Sequence, residues 1–291
     1  MSTNTTDIQN HLIQGLTMDA KVRYLLVHFT DVVNEAIDKH GLNKGSSRYL
    51  ADAMAAALLL SSQIKEDERL SLQLESSVPP CRIICDINAD GGIRAKITPN
   101  KLPSDVTHPT LDGFLITIKH NQQRELYRGT TEIRQETIAS AIEHHLNQSS
   151  QLDCKVRIET EFNESGYVTQ ALGVLLEKYP VSDDNPSATK KEFEQTYDTF
   201  ATLSKAEFLS ACQRNRLCSH DLFGLESKPL TWFCGCSEER IDTMLCSIGP
   251  EELTSMIEEL GEIEVVCEFC STKYTRDKAA IEELIEKISY I

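Results

Sequence analysis

The chain has 291 residues, about two domains' worth by length, and sets 29 Lys+Arg against 45 Asp+Glu for a net charge of −16. That balance excludes a general nucleic-acid binder, because affinity for phosphate backbones rests on clustered Lys and Arg. At 40% hydrophobic and 25% charged residues, the chain has enough apolar material for a sizeable core and is not disordered throughout.

Met1 to Gly15 has neither a basic n-region nor a long apolar stretch, so no secretory signal is read there. Val22 to His40 carries apolar residues at Val22, Leu25, Leu26, Phe29, Val32, Val33, Ala36 and Ile37, which predicts one amphipathic helix closed by Gly41. Ser46 and Ser47 offer an N-cap for a second, buried helix over Arg48 to Gln63. Its most apolar run, Ala53 to Leu60, is far too short to span a bilayer. The period then becomes two at Leu70, Leu72 and Leu74. Arg82 to Ile87 and Ile93 to Ile97 read as strands joined across Asn88 to Gly92. Leu111 to Lys119 and Cys154 to Thr160 read as further strands with a helix, Glu136 to Leu146, between them, and Tyr167 to Glu177 fits either a strand or a short helix.

Pro180 to Thr189 is a polar breaker segment that marks a domain boundary. Beyond it, Lys190 to Phe200 and Ser204 to Arg214 have helical spacing, the second with a Ser204/Glu207 capping box, but both are too short to stand alone in water. The expected class is α+β: an N-terminal sheet-and-helix domain over residues 1–179, a helical linker over 180–230 and a small C-terminal zinc-binding domain over 231–291. In that last part Glu238 to Leu245, Glu251 to Leu260 behind Pro250, and Ala279 to Ile288 read as helices and Ile263 to Val266 as a strand.

Seven of the ten cysteines fall between Cys212 and Cys270, so the last third is where thiol chemistry belongs. Without a signal or a membrane span, the chain is read as cytoplasmic, and in a reducing compartment clustered thiols serve metal or redox chemistry more often than static disulfides. Cys234-Gly235-Cys236 is followed, 30 residues on, by Cys267-Glu268-Phe269-Cys270. Two such pairs supply four thiolates, the ligand set of one tetrahedral Zn²⁺ with Zn–S near 2.3 Å, and Gly235 permits the tight turn between the first two. Residues 231–291 carry 14 Asp+Glu and 5 Lys+Arg, too small and too charged to fold well without a staple. A four-thiolate site is closed to water and substrate, so catalytic zinc chemistry is not expected. Spacing alone leaves two uses open: a passive staple, or a sensor whose ligands are lost on oxidation so that the domain unfolds.

The segments Phe233 to Arg240, Ile248 to Leu253 and Gly261 to Cys270 resemble the C-terminal redox switch of the 33 kDa heat-shock chaperone family. The resemblance covers nearly the whole chain: Asp31 to Leu60, Tyr127 to Ser149, Leu203 to Leu209 and Leu217 to Phe223 resemble the family's early helices, mid-domain strand and helix, and linker. At Asp90 to Arg94 the match is loose, since the family continues with Gly and an aromatic where this chain has Ala95 and Lys96. What the resemblance implies is an ATP-independent holdase, inactive when reduced and bound to one zinc. Oxidation of Cys234, Cys236, Cys267 and Cys270 to two disulfides, within the pairs Cys234–Cys236 and Cys267–Cys270, would expel zinc, unfold the C-terminal domain and loosen the linker. Apolar surface so uncovered would bind partly unfolded client proteins, and oxidised members of the family form homodimers. No catalytic residue, nucleic-acid partner or membrane partner is implied.

Cys212, Cys218 and Cys246 lie near the switch without belonging to its motif and are read as small buried or half-buried residues with no redox role, in preference to auxiliary oxidation sites. The histidines, among them His28, His108, His144, His145 and His220, sit at no ligand or triad spacing, and Trp232 reads as a packing anchor. Two rivals are a thiol-disulfide oxidoreductase using Cys267 and Cys270, disfavoured by the upstream CxC and the small segment, and a constitutive zinc-stapled interaction module.

Overall fold

Two-residue periodicity governs most of the first 232 residues in the computed structural model, which describes residues 10–17, 22–105, 109–149, 153–178, 186–202, 207, 216–217 and 220–289. The chain divides into two compact units, Met1–Trp232 and Phe233–Ile291.

In the first unit the strands are β1 (His11–Thr17), β2 (Val22–His28), β3 (Arg69–Ser77), β4 (Pro80–Asn88), β5 (Gly92–Thr98), β6 (Thr110–His120), β7 (Glu125–Thr137), β8 (Cys154–Phe162), β9 (Val168–Lys178), β10 (Arg216–Leu217), β11 (His220–Pro229) and β12 (Thr231–Trp232). They form two six-stranded sheets, ordered β10-β11-β1-β2-β9-β8 and β12-β5-β4-β3-β6-β7. The helices are α1 (Thr30–His40), α2 (Lys44–Leu60), α3 (Ile138–Ser149) and α4 (Pro186–Thr202). Helix α2 packs on strands of both sheets. Fourteen of its 17 residues are buried, so its near-continuous apolar surface is what the position requires. Its cap is Asn43 and not Ser46 or Ser47: Asn43 Oδ1 accepts from the Ser46 N–H at 3.0 Å.

The single helix expected over Val22 to His40 is two elements. Residues 22–28 are strand β2, held between β1 and β9. Leu25 and Val27 face the main core, while Val22, Tyr24 and Leu26 face a second cluster on the other side of the sheet. Burial on both faces produces an unbroken apolar run, which periodicity cannot tell from one side of a helix. Helix α1 starts at Thr30 and ends, as expected, at Gly41 in the left-handed region, φ 56°. The ambiguous Tyr167 to Glu177 is strand β9, again buried on both faces.

Between residues 180 and 230 the chain is helix and then strand. Pro186 opens α4, whose Phe193, with Tyr197 one turn on, packs on Ile13, Val22, Tyr24, Leu26, Leu172, Val174 and Leu176 of the first sheet. Strand β11 then runs antiparallel to β1, from His11↔Pro229 to Thr17↔Leu222. The helix expected over Ser204 to Arg214 lies outside the described residues apart from Glu207, as do Cys212, Cys218 and His108. At the exit, Gly91 holds φ 88° and lies so close to the Pro229 carbonyl that a Cβ would sit 2.3 Å from its oxygen, so glycine is required there. Trp232 packs against the main core with its ring edge-on to His40, the anchor role read from the sequence.

One ionisable group is set among the buried face of α2. Thr160 Oγ1 donates to Asp52 Oδ1 at 3.2 Å, and the Arg48 guanidinium lies 4.8 Å from the Phe162 ring centroid. Burial raises the Asp52 carboxyl to about 7, against the Thr160 hydrogen bond and the Arg48 charge, which lower it. The folded chain therefore holds this proton where the unfolded chain has released it, and the contribution falls as pH rises from 4 to 7. Asp52→Asn is expected to flatten that part of the stability–pH profile and to stabilise the unit by about 2 kcal/mol at pH 8, half the full linkage value because the site is partly open. Chemical denaturation at pH 4 and pH 8 checks this; a parallel profile for the variant would refute it.

The second unit contains α5 (Glu238–Cys246), α6 (Pro250–Leu260), β13 (Glu262–Val266), β14 (Lys273–Asp277) and α7 (Lys278–Ser289). Three helices and one strand match the sequence reading, and a second strand, β14, pairs antiparallel with β13. Its core is small: Ile241, Leu245, Leu253, Ile257, Ile263, Tyr274, Ile281 and Leu284.

Candidate metal centre

Cys234 and Cys236 lie in the irregular segment before α5. Ser237 caps that helix, its hydroxyl accepting from the Arg240 N–H at 3.3 Å, and the Arg240 guanidinium turns back to donate to the Gly235 carbonyl. Gly235 is not in the left-handed region, and a Cβ there would meet the Arg240 guanidinium at 2.8 Å and the Phe233 ring at 3.2 Å, so a larger residue would displace the arginine from the Gly235 carbonyl. The second pair is carried by the β13–β14 turn. The Cys267 N–H donates to the Thr272 carbonyl at 2.9 Å, the Ser271 N–H to the Cys267 carbonyl at 2.8 Å, and Ser271 takes φ 59° to close the loop.

This folding brings all four predicted residues together. The sulfurs of Cys234, Cys236, Cys267 and Cys270 lie within 4.8 Å of one another, with Cys234 to Cys267 at 3.6 Å and Cys236 to Cys270 at 3.3 Å. A tetrahedron with 2.3 Å metal–sulfur bonds has edges of about 3.8 Å, so the spacing suits a thiolate-bound ion. All four are half-buried. Burial pushes the Cys234 thiol up to about 12 and Cys236 upward too. At Cys270 burial also raises the value, but the Thr272 hydroxyl 3.1 Å away, the Thr272 backbone and the neighbouring thiols outweigh it and bring the thiol down to about 6. Four thiols this close cannot all ionise on their own, and a divalent cation supplies the charge that allows it.

Two features around the sulfurs had no signal in the sequence. The Tyr274 hydroxyl donates to Cys236 Sγ at 3.0 Å, a contact that depends on the β13–β14 register placing Tyr274 opposite Val265. Arg276, on the same strand, bonds Asp242 at 2.7 Å and Glu238 at 2.5 Å and so ties β14 to α5, the helix that follows the first cysteine pair.

The remaining described thiols are unlike these four. Burial raises Cys81 to about 11, Cys154 to about 12, and Cys85 well above its ordinary value, so they stay protonated and inert at neutral pH. Cys246 is half-buried on α5 beside the small core. His145 is buried between the Thr117 and Thr131 hydroxyls, at 3.1 and 2.8 Å, and burial lowers it to about 4, a neutral structural histidine.

The chain is similar to known proteins along almost its full length. The family described as Hsp33 protein matches residues 10–277. The 33 kDa chaperonin of Bacillus subtilis is 29% identical over 293 residues, covering 94% of this chain and 98% of that protein. The 33 kDa chaperonin of Geobacter sulfurreducens is 26% identical, covering 99% of each. Among solved structures, the crystal structure of the 33 kDa chaperonin (heat shock protein 33 homolog) of Thermotoga maritima superposes with a TM-score of 0.84 at 21% identity, over 97% of this chain and 100% of that one. That likeness speaks to the fold.

Proposed function

The chain belongs to the Hsp33 family, and on that premise we propose that it is an ATP-independent chaperone that holds unfolding proteins, silent while reduced and switched on by oxidation of its four clustered cysteines. The observation that carries this reading is the convergence of Cys234, Cys236, Cys267 and Cys270 from two segments onto one point. In the resting state these four hold one Zn²⁺. Bound there, the ion neutralises the thiolates and staples the segment before α5 to the β13–β14 turn.

Peroxide takes two electrons and two protons from each cysteine pair, leaving a disulfide and two waters. The pairs are Cys234–Cys236 and Cys267–Cys270. A disulfide sulfur is a poor ligand, so the staple is lost, and eight buried side chains cannot hold so acidic a unit folded. The chain before that unit is where the loss is felt. Helix α4 covers an apolar face of the first sheet with Phe193 and Tyr197, and a 17-residue helix does not hold its shape in water without such packing, which puts it at the low-stability end of its unit. Its release uncovers Ile13, Leu26, Leu172 and Val174 as a surface for partly unfolded clients. The oxidised chain acts as a homodimer in the cytoplasm, and its acidic surface keeps it soluble. No helix among the described residues is long and apolar enough to cross a membrane.

The oxidoreductase reading is disfavoured by where the CxxC falls. Cys267 and Cys270 occupy a hairpin turn and not the helix N-terminus that activates such a pair. Light scattering from a heat-unfolding client tests the proposal: suppression is expected from the peroxide-treated chain and not from the reduced, zinc-loaded one. Equal behaviour of the two forms would leave the site a passive staple.

A further inference from the structure

On the sheet side, the apolar face under α4 is aliphatic except for Tyr24. Tyr24 lies in mid-sheet on β2, opposite Gly15 of β1 on one side and Leu176 of β9 on the other. It is 0% exposed, and its hydroxyl has no hydrogen-bond partner among the described residues. Ser47 Oγ, Arg48 Nε and Trp232 Nε1 are also buried and unpartnered, but none of those residues belongs to this cluster. Buried polar groups are nearly all hydrogen-bonded, so an orphaned hydroxyl inside an apolar seat calls for a physical reason. Phenylalanine would fill the same space without it.

What the hydroxyl does depends on which side of the seat can move. The backbone of Tyr24 is held by antiparallel pairing to β1 and β9, so it stays where it is. The helix side rests on Phe193 and on the partly buried Tyr197, whose ring lies 5.0 Å from Lys155 Nζ. With α4 down, the Tyr24 oxygen forgoes the hydrogen bonds that water gives a phenol. With α4 lifted, it regains them. A group that is unsatisfied in one state and solvated in the other shifts the equilibrium toward the second. For a buried hydroxyl the shift is roughly tenfold, within the range found for unsatisfied polar groups. Phe193 pulls the other way, because its ring leaves the cluster when the helix leaves.

We propose that Tyr24 is a built-in opener of the α4 seat: its buried, unpartnered hydroxyl keeps the helix close to release, so that a modest loss of support uncovers the first sheet. The use of that release for holding clients rests on the function proposed above, whereas the effect of the hydroxyl on the helix does not.

The Tyr24→Phe variant keeps the ring and removes the oxygen. In the reduced, zinc-loaded full chain, amide exchange along residues 186–202 reads the opening of α4 with no client present. Exchange there is expected to slow roughly tenfold in the variant. After peroxide, with thiols and zinc lost as in the wild type, the variant is expected to suppress aggregation of a heat-unfolding client less at the same dose. Unchanged or faster exchange in α4 overturns the inference, because the hydroxyl would then be satisfied with the helix down or still covered with it up. Slower exchange together with undiminished client suppression upholds the opener and contradicts the assignment of this face to clients.

Discussion

The Cys234→Ser, Cys267→Ser double variant, kept fully reduced, is expected to lose stoichiometric zinc and with it the amide protection of residues 233–291. Each substitution removes one ligand from one side of the cluster, leaving Cys236 and Cys270 as two thiols 3.3 Å apart with no third or fourth donor. The ion's share of the folding free energy is large, on the order of 10 kcal/mol in small zinc-stapled domains. Against that loss stand eight buried side chains and the Arg276 bonds to Asp242 and Glu238. Net repulsion works the other way, since this segment carries almost three acids for each base. Hydrogen exchange and metal analysis decide it, and a double variant that kept its zinc and its protection would show that the four-thiolate site is not what folds this unit.

The second large effect is expected at the other end of the switch. Phe193 is 5% exposed and sits on the apolar face of the first sheet, with only the partly buried Tyr197 beside it among the described residues of α4. Truncating a buried phenylalanine costs about 3–5 kcal/mol, more than a 17-residue helix contributes on its own in water. Phe193→Ala is therefore expected to let α4 leave the sheet without oxidation. The reduced variant should bind an apolar dye and suppress client aggregation in part before any peroxide is added, with its zinc retained. A Phe193→Ala chain that stays silent until oxidised, with wild-type dye binding, would mean that the α4 face is not the gated surface.

The parts of this molecule that were legible in the sequence are those whose determinants lie close together along the chain. The CxC and CxxC pairs mark by spacing alone the four thiols that converge, and α6 announces itself by Pro250 at its first turn. Gly41 marks the end of α1 for the same local reason. What was illegible depends on distant partners. Strand β2 reads as a helix because its two faces are covered by different layers, the main core and α4. Strand β1 pairs with β2 on one side and with β11, more than 200 residues away, on the other, and that distant partner leaves no mark in the local pattern. The Tyr274 bond to Cys236 follows from a hairpin register, and the Asn43 cap displaced a serine pair of equal propensity because Asn43 also donates to the Leu102 carbonyl at 2.7 Å. That β7 is the outer strand of the second sheet among the described residues is likewise a property of strand order and invisible in one strand's composition.

Oxidising the four thiols is expected to empty the metal centre and unfold the unit built on it. The most direct test takes one reduced, zinc-loaded sample through a peroxide titration and follows free thiols, released zinc and amide exchange together. The predicted result is loss of four thiols and one zinc in step, with exchange protection lost over residues 233–291 and kept in the core strands β3, β4 and β6. Retention of protection over residues 233–291 after the thiols and the zinc are gone would contradict the account.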